Sequence, residues 1–220
     1  MATFSSLQLC GCDTWLVSDV LTVSELVGEV VRLEPLSAAH VDDLVVAANE
    51  DRSTYRYTVV PSSRAAMLAY VEELLADFDR GEVIPFAQVS VPTGRAVGAT
   101  RFLTIRRRRG ERNPFAVEIG GTWLAATAQR TAINSEAKLL LMTHAFEEWS
   151  VGRVDLKTDA RNERSRVAMT RIGATFEGVL RQWQPSQVTG EEGLLRDSAI
   201  FSVLDSEWPA VRDSLKSRLL

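Results

Sequence analysis

The chain predicts one α/β (α+β) domain, a single mixed and mostly antiparallel sheet with helices on both faces. Three observations lead there. A chain of 220 residues with 45% hydrophobic and 25% charged residues has the composition of one generous globular domain, which rules out disorder throughout. Two tight turns, Pro92-Thr-Gly94 and Gly110-Glu-Arg-Asn-Pro114, join strand-like segments and make the central strands antiparallel. After Ala116 the order becomes strand, long helix, strand, and such a crossover demands a parallel pair.

Residues 1–28 mix Ser, Thr and Asp with scattered Leu and Val and lack a long periodic apolar face. They are expected to form an N-terminal extension, a short helix or an arm, ahead of a domain spanning 29–220. From there the apolar periods predict a strand at 30–35, helices at 38–48 and 62–80, and strands at 85–91, 96–105 and 116–124. A helix at 132–149, a strand at 153–158, a helix at 163–172 and two strands near 175–182 and 198–204 complete the order. Helix 132–149 carries Ile133, Ala137, Leu140, Leu141, His144 and Ala145 on one stripe and Leu139, Met142, Phe146 and Trp149 on another. Being apolar nearly all round it belongs in the core, so His144 is expected there as a packed histidine and not as a catalyst. Gly120-Gly121 fits a local bulge in its strand.

Charge and composition narrow the functions. A net charge of −4 argues against a protein that coats nucleic acid. No apolar run is long enough to span a bilayer, and the first ten residues lack the basic start and apolar core of a signal peptide, so a cytoplasmic protein with no membrane partner is expected. Cys10 and Cys12 lie too close for an ordinary disulfide and have no second ligand pair for zinc. The two histidines, His40 and His144, share no metal-binding spacing, and no metal is expected.

The segment Glu118-Ile-Gly-Gly-Thr-Trp-Leu-Ala-Ala-Thr-Ala-Gln-Arg-Thr-Ala-Ile-Asn-Ser-Glu-Ala-Lys138 reads as strand, turn and long helix, with no acidic residue in the helix's opening turn. The first N–H groups of a helix lack intrahelical partners and carry the positive end of its dipole, so such a turn suits a pyrophosphate. Arg130 adds a cation. The run Gln129-Arg-Thr-Ala-Ile-Asn134 resembles the Gln/Arg-x-x-Gly-x-Gly/Ala acyl-coenzyme A signature of the GNAT N-acyltransferase superfamily, and its continuation is similar to the ribosomal-protein N-terminal acetyltransferase (RimJ/RimL-like) branch. The second block, from Arg153 through Asn162-Glu-Arg-Ser165 to Gly173-Ala174, matches the family's strand, Asn-x-x-Ser turn and helix. The resemblance runs from about residue 30 to the C-terminus. It departs where the family's usual glycine is Ala132 and where Asn134 replaces a small residue; a residue already turning into a helix accepts alanine well.

The resemblance implies a GNAT fold in which strands 116–124 and 153–158 start side by side and splay into a cleft for acetyl-CoA, bound as co-substrate. It places Trp123, Leu124 and Ala125 beside the pantetheine arm, Gln129, Arg130, Thr131, Ala132, Ile133 and Asn134 around the pyrophosphate, Asn162 on the pantetheine or as a helix cap, and Ser165 near the thiolate. Acetyl transfer needs a base, oxyanion donors and an acid for the departing thiolate. Glu118, eleven residues before Gln129, has the spacing of the catalytic glutamate in the superfamily's histone acetyltransferase branch. Strand alternation sends Glu118, Gly120 and Thr122 to one face and Ile119, Gly121 and Trp123 to the other, and a lone carboxylate amid apolar residues suits a base working directly or through water. A structural role, pairing with Arg101 or Arg112, is the alternative. Ser165 takes the acid's place by resemblance, where other branches carry a tyrosine.

The implied activity is transfer of an acetyl group to a primary amine, a protein N-terminus or a small molecule, by direct attack. Two other classes remain: a non-catalytic acyl-CoA-binding module, and a ribosome- or RNA-associated factor using Arg106-Arg-Arg-Arg109. A homodimer stays open.

Overall fold

The computed structural model describes residues 21–219. Eight strands, β1 (Leu26–Val27), β2 (Val31–Pro35), β3 (Ile84–Ser90), β4 (Ala96–Arg106), β5 (Ala116–Leu124), β6 (Arg153–Asp159), β7 (Thr175–Pro185) and β8 (Leu195–Leu204), form one sheet in the order β1-β2-β3-β4-β5-β6-β8-β7. Every neighbouring pair is antiparallel except β5 and β6, as the crossover after Ala116 requires. Five α-helices flank the sheet: α1 (Val41–Ala48), α2 (Arg64–Asp79), α3 (Ala132–Thr143), α4 (Glu163–Arg171) and α5 (Trp208–Ser217).

Strand alternation divides the apolar residues into two cores. Leu44 of α1 and Met67 and Val71 of α2 bury against Ala87, Val89, Ala99 and Trp123 on one face. On the other face Ala137, Leu141 and Met142 of α3 and Val211 and Leu215 of α5 pack on Phe86, Phe102, Ile119, Val154 and Phe201. The single mixed sheet with helices on both faces is therefore the architecture observed.

Four local expectations are corrected. The long helix stays α-helical only to Thr143 and ends in a wide π turn, His144–Glu148, after which Trp149 is buried against Phe102. Strands β7 and β8 extend toward each other to Pro185 and Leu195, because their hairpin pairing continues past 182. Helix α5 was not anticipated, although Trp208, Val211 and Leu215 recur at helical spacing and all three are buried. Finally, the boundary placed at residue 28 falls inside the packed body: Leu21 and Val23 are 6% exposed in the core, and β1 pairs with β2. Residues 1–20, including both cysteines, lie outside the described residues.

Glu136 of α3 holds this edge down. Its carboxylate accepts hydrogen bonds from the backbone N–H groups of Glu29, Val30 and Val31 at 2.7, 2.7 and 2.8 Å. A Cβ at Gly28 would stand 2.4 Å from that carboxyl carbon, so only glycine lets the turn close on it.

Candidate active site

Strand β5 has two edges with different fates. Against β4 it pairs along its length, but against β6 the register covers only Ala116↔Arg153, Val117↔Val154 and Glu118↔Asp155. Beyond Glu118 the two strands part. Strand β6 continues on β8 as far as Asp159↔Ser198, so the backbone of residues 119–124 and 156–159 faces an opening between β5 and β6.

Within that stretch Gly121 adopts φ +56°, and the β4–β5 register slips from Arg101↔Gly120 to Ala99↔Trp123. The extra residue is a bulge at the predicted place. Arg101 packs on it so closely that a Cβ at Gly121 would lie 2.7 Å from the guanidinium carbon. The bulge overturns the expected alternation: Thr122 turns to the α3 side, where its hydroxyl meets Lys138, and Trp123 joins Glu118 on the α1–α2 side, edge-on to Tyr55 at 6.0 Å. The indole Nε1 of Trp123 has no partner among the described residues.

Glu118 is 6% exposed. Its surroundings are not the apolar ones expected, nor are Arg101 and Arg112 its partners. Lys157 of β6 reaches across the opening to 3.3 Å from Oε2, and Thr104 donates its hydroxyl to the same atom at 3.1 Å. Thr104 can do so because β4 bulges there, with the threonine at φ +49°. Lys157 and Thr104 escaped the sequence reading, although the run Arg153-Val-Asp-Leu-Lys-Thr-Asp159 alternates charged and apolar residues and so announces a charged face on β6.

That face carries a chain of ion pairs. Asp159, 1% exposed, accepts from the backbone N–H and guanidinium of Arg161, and Arg161 makes a two-pronged bridge to Glu191 at 2.7 and 2.9 Å. Burial alone would push the Asp159 carboxyl up, but the Arg161 hydrogen bonds outweigh it and hold it below the usual carboxylate range. Those of Arg161 and Ser186 together bring Glu191 down to about 2.

At the far end of β5 the chain enters α3. Gln129 is extended, Arg130 is left-handed at φ +61°, and Thr131 caps the helix by accepting the Ile133 N–H at 3.3 Å. The left-handed residue is thus Arg130, and Ala132 sits in ordinary helix, so the missing glycine creates no strain there. No acidic residue occupies the first turn, and among the described residues the N–H groups of Ala132 and Asn134 bond no protein atom. The Gln129 side chain turns inward instead, donating to the Leu124 carbonyl at 2.8 Å and Thr54 at 3.1 Å; Tyr55 donates to the same carbonyl at 2.9 Å. Asn162 caps α4 by accepting the Ser165 N–H at 3.2 Å, with Ser165 half-buried in that helix's opening turn.

A parallel pair that splits beside a helix start free of acids is the arrangement in which an acyl-coenzyme A lies between strands with its pyrophosphate on the helix. The acetyltransferase (GNAT) domain family matches residues 31–175. The chain belongs to the GNAT family. This GNAT protein is accordingly an acetyl-CoA-dependent acyltransferase. A GCN5-related N-acetyltransferase from Brucella melitensis superposes with a TM-score of 0.77 at 30% identity, over 90% of this chain and 86% of that one. Mycobacterium smegmatis RimJ, solved with CoA-disulfide, has the same fold with a TM-score of 0.71 at 19% identity over 89% of this chain and 91% of its own. YdaF of Bacillus subtilis, provisionally named a ribosomal N-acetyltransferase, is 33% identical over 88 residues, which are 40% of this chain and 45% of YdaF. These names agree with the RimJ/RimL-like resemblance. Among the described residues of this GNAT chain no group of three or more His, Cys, Asp or Glu could hold a metal, and no helix is long and apolar enough to cross a membrane.

Proposed function

We propose that the protein transfers the acetyl group of acetyl-CoA to a primary amine by direct attack, and that the acceptor is a protein N-terminus, with a small-molecule amine as the alternative. The observation that carries this reading is the position of Glu118 at the last β5–β6 pair, where the strands open. The pyrophosphate would sit on the turn Gln129–Asn134, held by the free N–H groups of α3 and by exposed Arg130, while the pantetheine runs along Trp123 and Leu124. Gln129 supports that turn from beneath, through its bonds to Leu124 and Thr54. Asn162 and Ser165 approach from α4.

The amine nitrogen attacks the thioester carbonyl and its proton passes to Glu118, directly or through water. The tetrahedral intermediate then expels the thiolate, to which the Ser165 hydroxyl donates a hydrogen bond. Lys157 and Thr104 fix the Glu118 carboxylate in one orientation. Within the arginine run Arg106 is paired with Asp155 and Arg108 with Glu111 and the Phe115 ring, which leaves the RNA-associated reading only Arg107 and Arg109. Terminal strand β7 leaves Trp183 55% and Val179 43% exposed, an apolar edge that supports a homodimer and that sedimentation would test.

The decisive assay incubates the protein with acetyl-CoA and a panel of peptides and small amines and follows free thiol and N-acetyl product. Acceptor-dependent thiol release with stoichiometric acetylated amine is expected; acetyl-CoA binding without transfer to any amine would leave a non-catalytic module.

A further inference from the structure

The floor of the opening is lined from β5, β6 and β8 by residues on the α1–α2 side, and most of its charged side chains stand in direct ion pairs. Glu118 has Lys157, Asp159 and Glu191 share Arg161, and Asp155 and Glu177 share Arg153. Arg196 of β8 stands apart. It is only 8% exposed, forms no ion pair with any described residue, and its Nε is enclosed without a partner. Two residues along the same face of β8, Ser198 is fully buried with its hydroxyl also unpartnered. Arg101, half-buried on the same face against Gly121, likewise pairs with no acid among the described residues.

A guanidinium cannot shed its proton, so enclosing one with no carboxylate in contact is costly unless an anion arrives to take its hydrogen bonds. Arg196 lies close enough to Glu118 and Asp159 to feel both carboxylates, though neither is in contact. Strand β8 is two strands from β5, and Arg196 lies two residues beyond Ser198, the last β8 residue paired with β6, at the end where β5 and β6 have parted. The unmatched donors therefore face the same space as the proposed base.

We propose that Arg196 is a specificity-determining residue that binds a carboxylate on the acceptor, with Ser198 as a second donor. The preferred acceptor is then an amine with a carboxylate nearby, either a free amino acid or a peptide whose first residue is acidic. This inference rests on the transferase reading of the same site. A planar guanidinium takes a carboxylate through two parallel hydrogen bonds, and a site built for that bond rejects the neutral analogue because its own donors are then left bare.

The test uses acceptors in matched pairs: an amino acid with its amide, and peptides beginning with Asp or Glu with those beginning with Asn or Gln. The two kinds of pair separate the two sources of the carboxylate. For the native protein kcat/KM should favour the carboxylate member of one pair type by about 10-fold or more. Arg196→Gln should abolish the preference and leave acetyl-CoA affinity intact, whereas Arg196→Lys should keep part of it. Equal rates for both members of every pair would overturn the inference, as would an Arg196→Gln protein that is folded by melting yet retains the preference. If no amine reacts although acetyl-CoA binds, the transferase reading fails. Calorimetric binding of the carboxylate members in the presence of coenzyme A then decides the inference: binding lost in Arg196→Gln supports it, and no binding to the native protein overturns it.

Discussion

Lys138 is a buried cation whose enclosure costs the fold stability. It points from α3 into the sheet, 5% exposed, with its ammonium bonded to the Thr122 hydroxyl at 2.7 Å and no carboxylate of the described residues paired with it. Burial pulls its pKa down to about 7. In the unfolded chain the amine titrates near 10.5, so between pH 7 and 10.5 unfolding takes up a proton. Stability from this group therefore rises with pH across that window, and the penalty stands in full below about pH 7. Lys138→Met should raise the unfolding free energy by about 1–3 kcal/mol near pH 7 and flatten the alkaline rise in melting temperature; calorimetry at several pH values reads both. The threonine pair survives the change, since Thr100 and Thr122 bond each other at 2.8 Å. Glu118 raises a question of chemistry where Lys138 raises one of stability. Glu118→Gln keeps the shape and the Thr104 contact but removes the proton acceptor, so kcat should fall about 10- to 1000-fold with acetyl-CoA affinity unchanged. A parallel loss of affinity in titration calorimetry would assign Glu118 to structure instead. Neither the Lys157 partner nor the Thr104 bond was legible in the sequence, because one depends on where β6 parts from β5 and the other on which residue a bulge in β4 turns.

At the scale of elements, the sequence was most legible where periods were long and turns were marked. β5 was placed residue for residue, since Ala116 and Leu124 bound an alternating run that ends in the signature turn. The bulge at Gly121 was legible as a paired glycine, but its effect on the strand's faces was not, because one inserted residue inverts every side chain beyond it. The early boundary at residue 28 failed for a related reason: β1 is two residues long and leaves no period to detect. What secures β1 is remote in sequence, the Glu136 carboxylate from α3 on three backbone N–H groups. Glu136→Ala leaves all three donors without their partner, that of Val31 being buried, and opens a space beside Gly28. The expected cost is about 2–4 kcal/mol, measured by denaturant unfolding, with the amides of residues 29–31 losing their exchange protection first. A cost below about 0.5 kcal/mol would show that the clamp is redundant.

For the whole molecule, the fold class was legible because the hairpins and the single crossover leave few topologies open, whereas helix α5 and the packed segment 21–28 lay outside the elements that resemblance supplied. Both contribute to one core with α3, through Leu21, Val23, Val211 and Leu215. A chain starting at Glu29 would lose two buried aliphatic side chains and a strand pair. At roughly 1.5–3 kcal/mol per buried side chain it should melt about 10 °C lower or more, a shift that differential scanning calorimetry would measure. A change under about 3 °C would mean that these residues only rest on the surface. The split between β5 and β6 also governs how the molecule bears load. Five strands on one side and three on the other are stitched by three residue pairs, while the neighbouring β6–β8 border has seven. The sheet thus has a seam through its middle, spanned on one face by the crossover helix α3. A thioester threaded into that seam, as proposed, would act as a missing row of stitches and tie the two halves together.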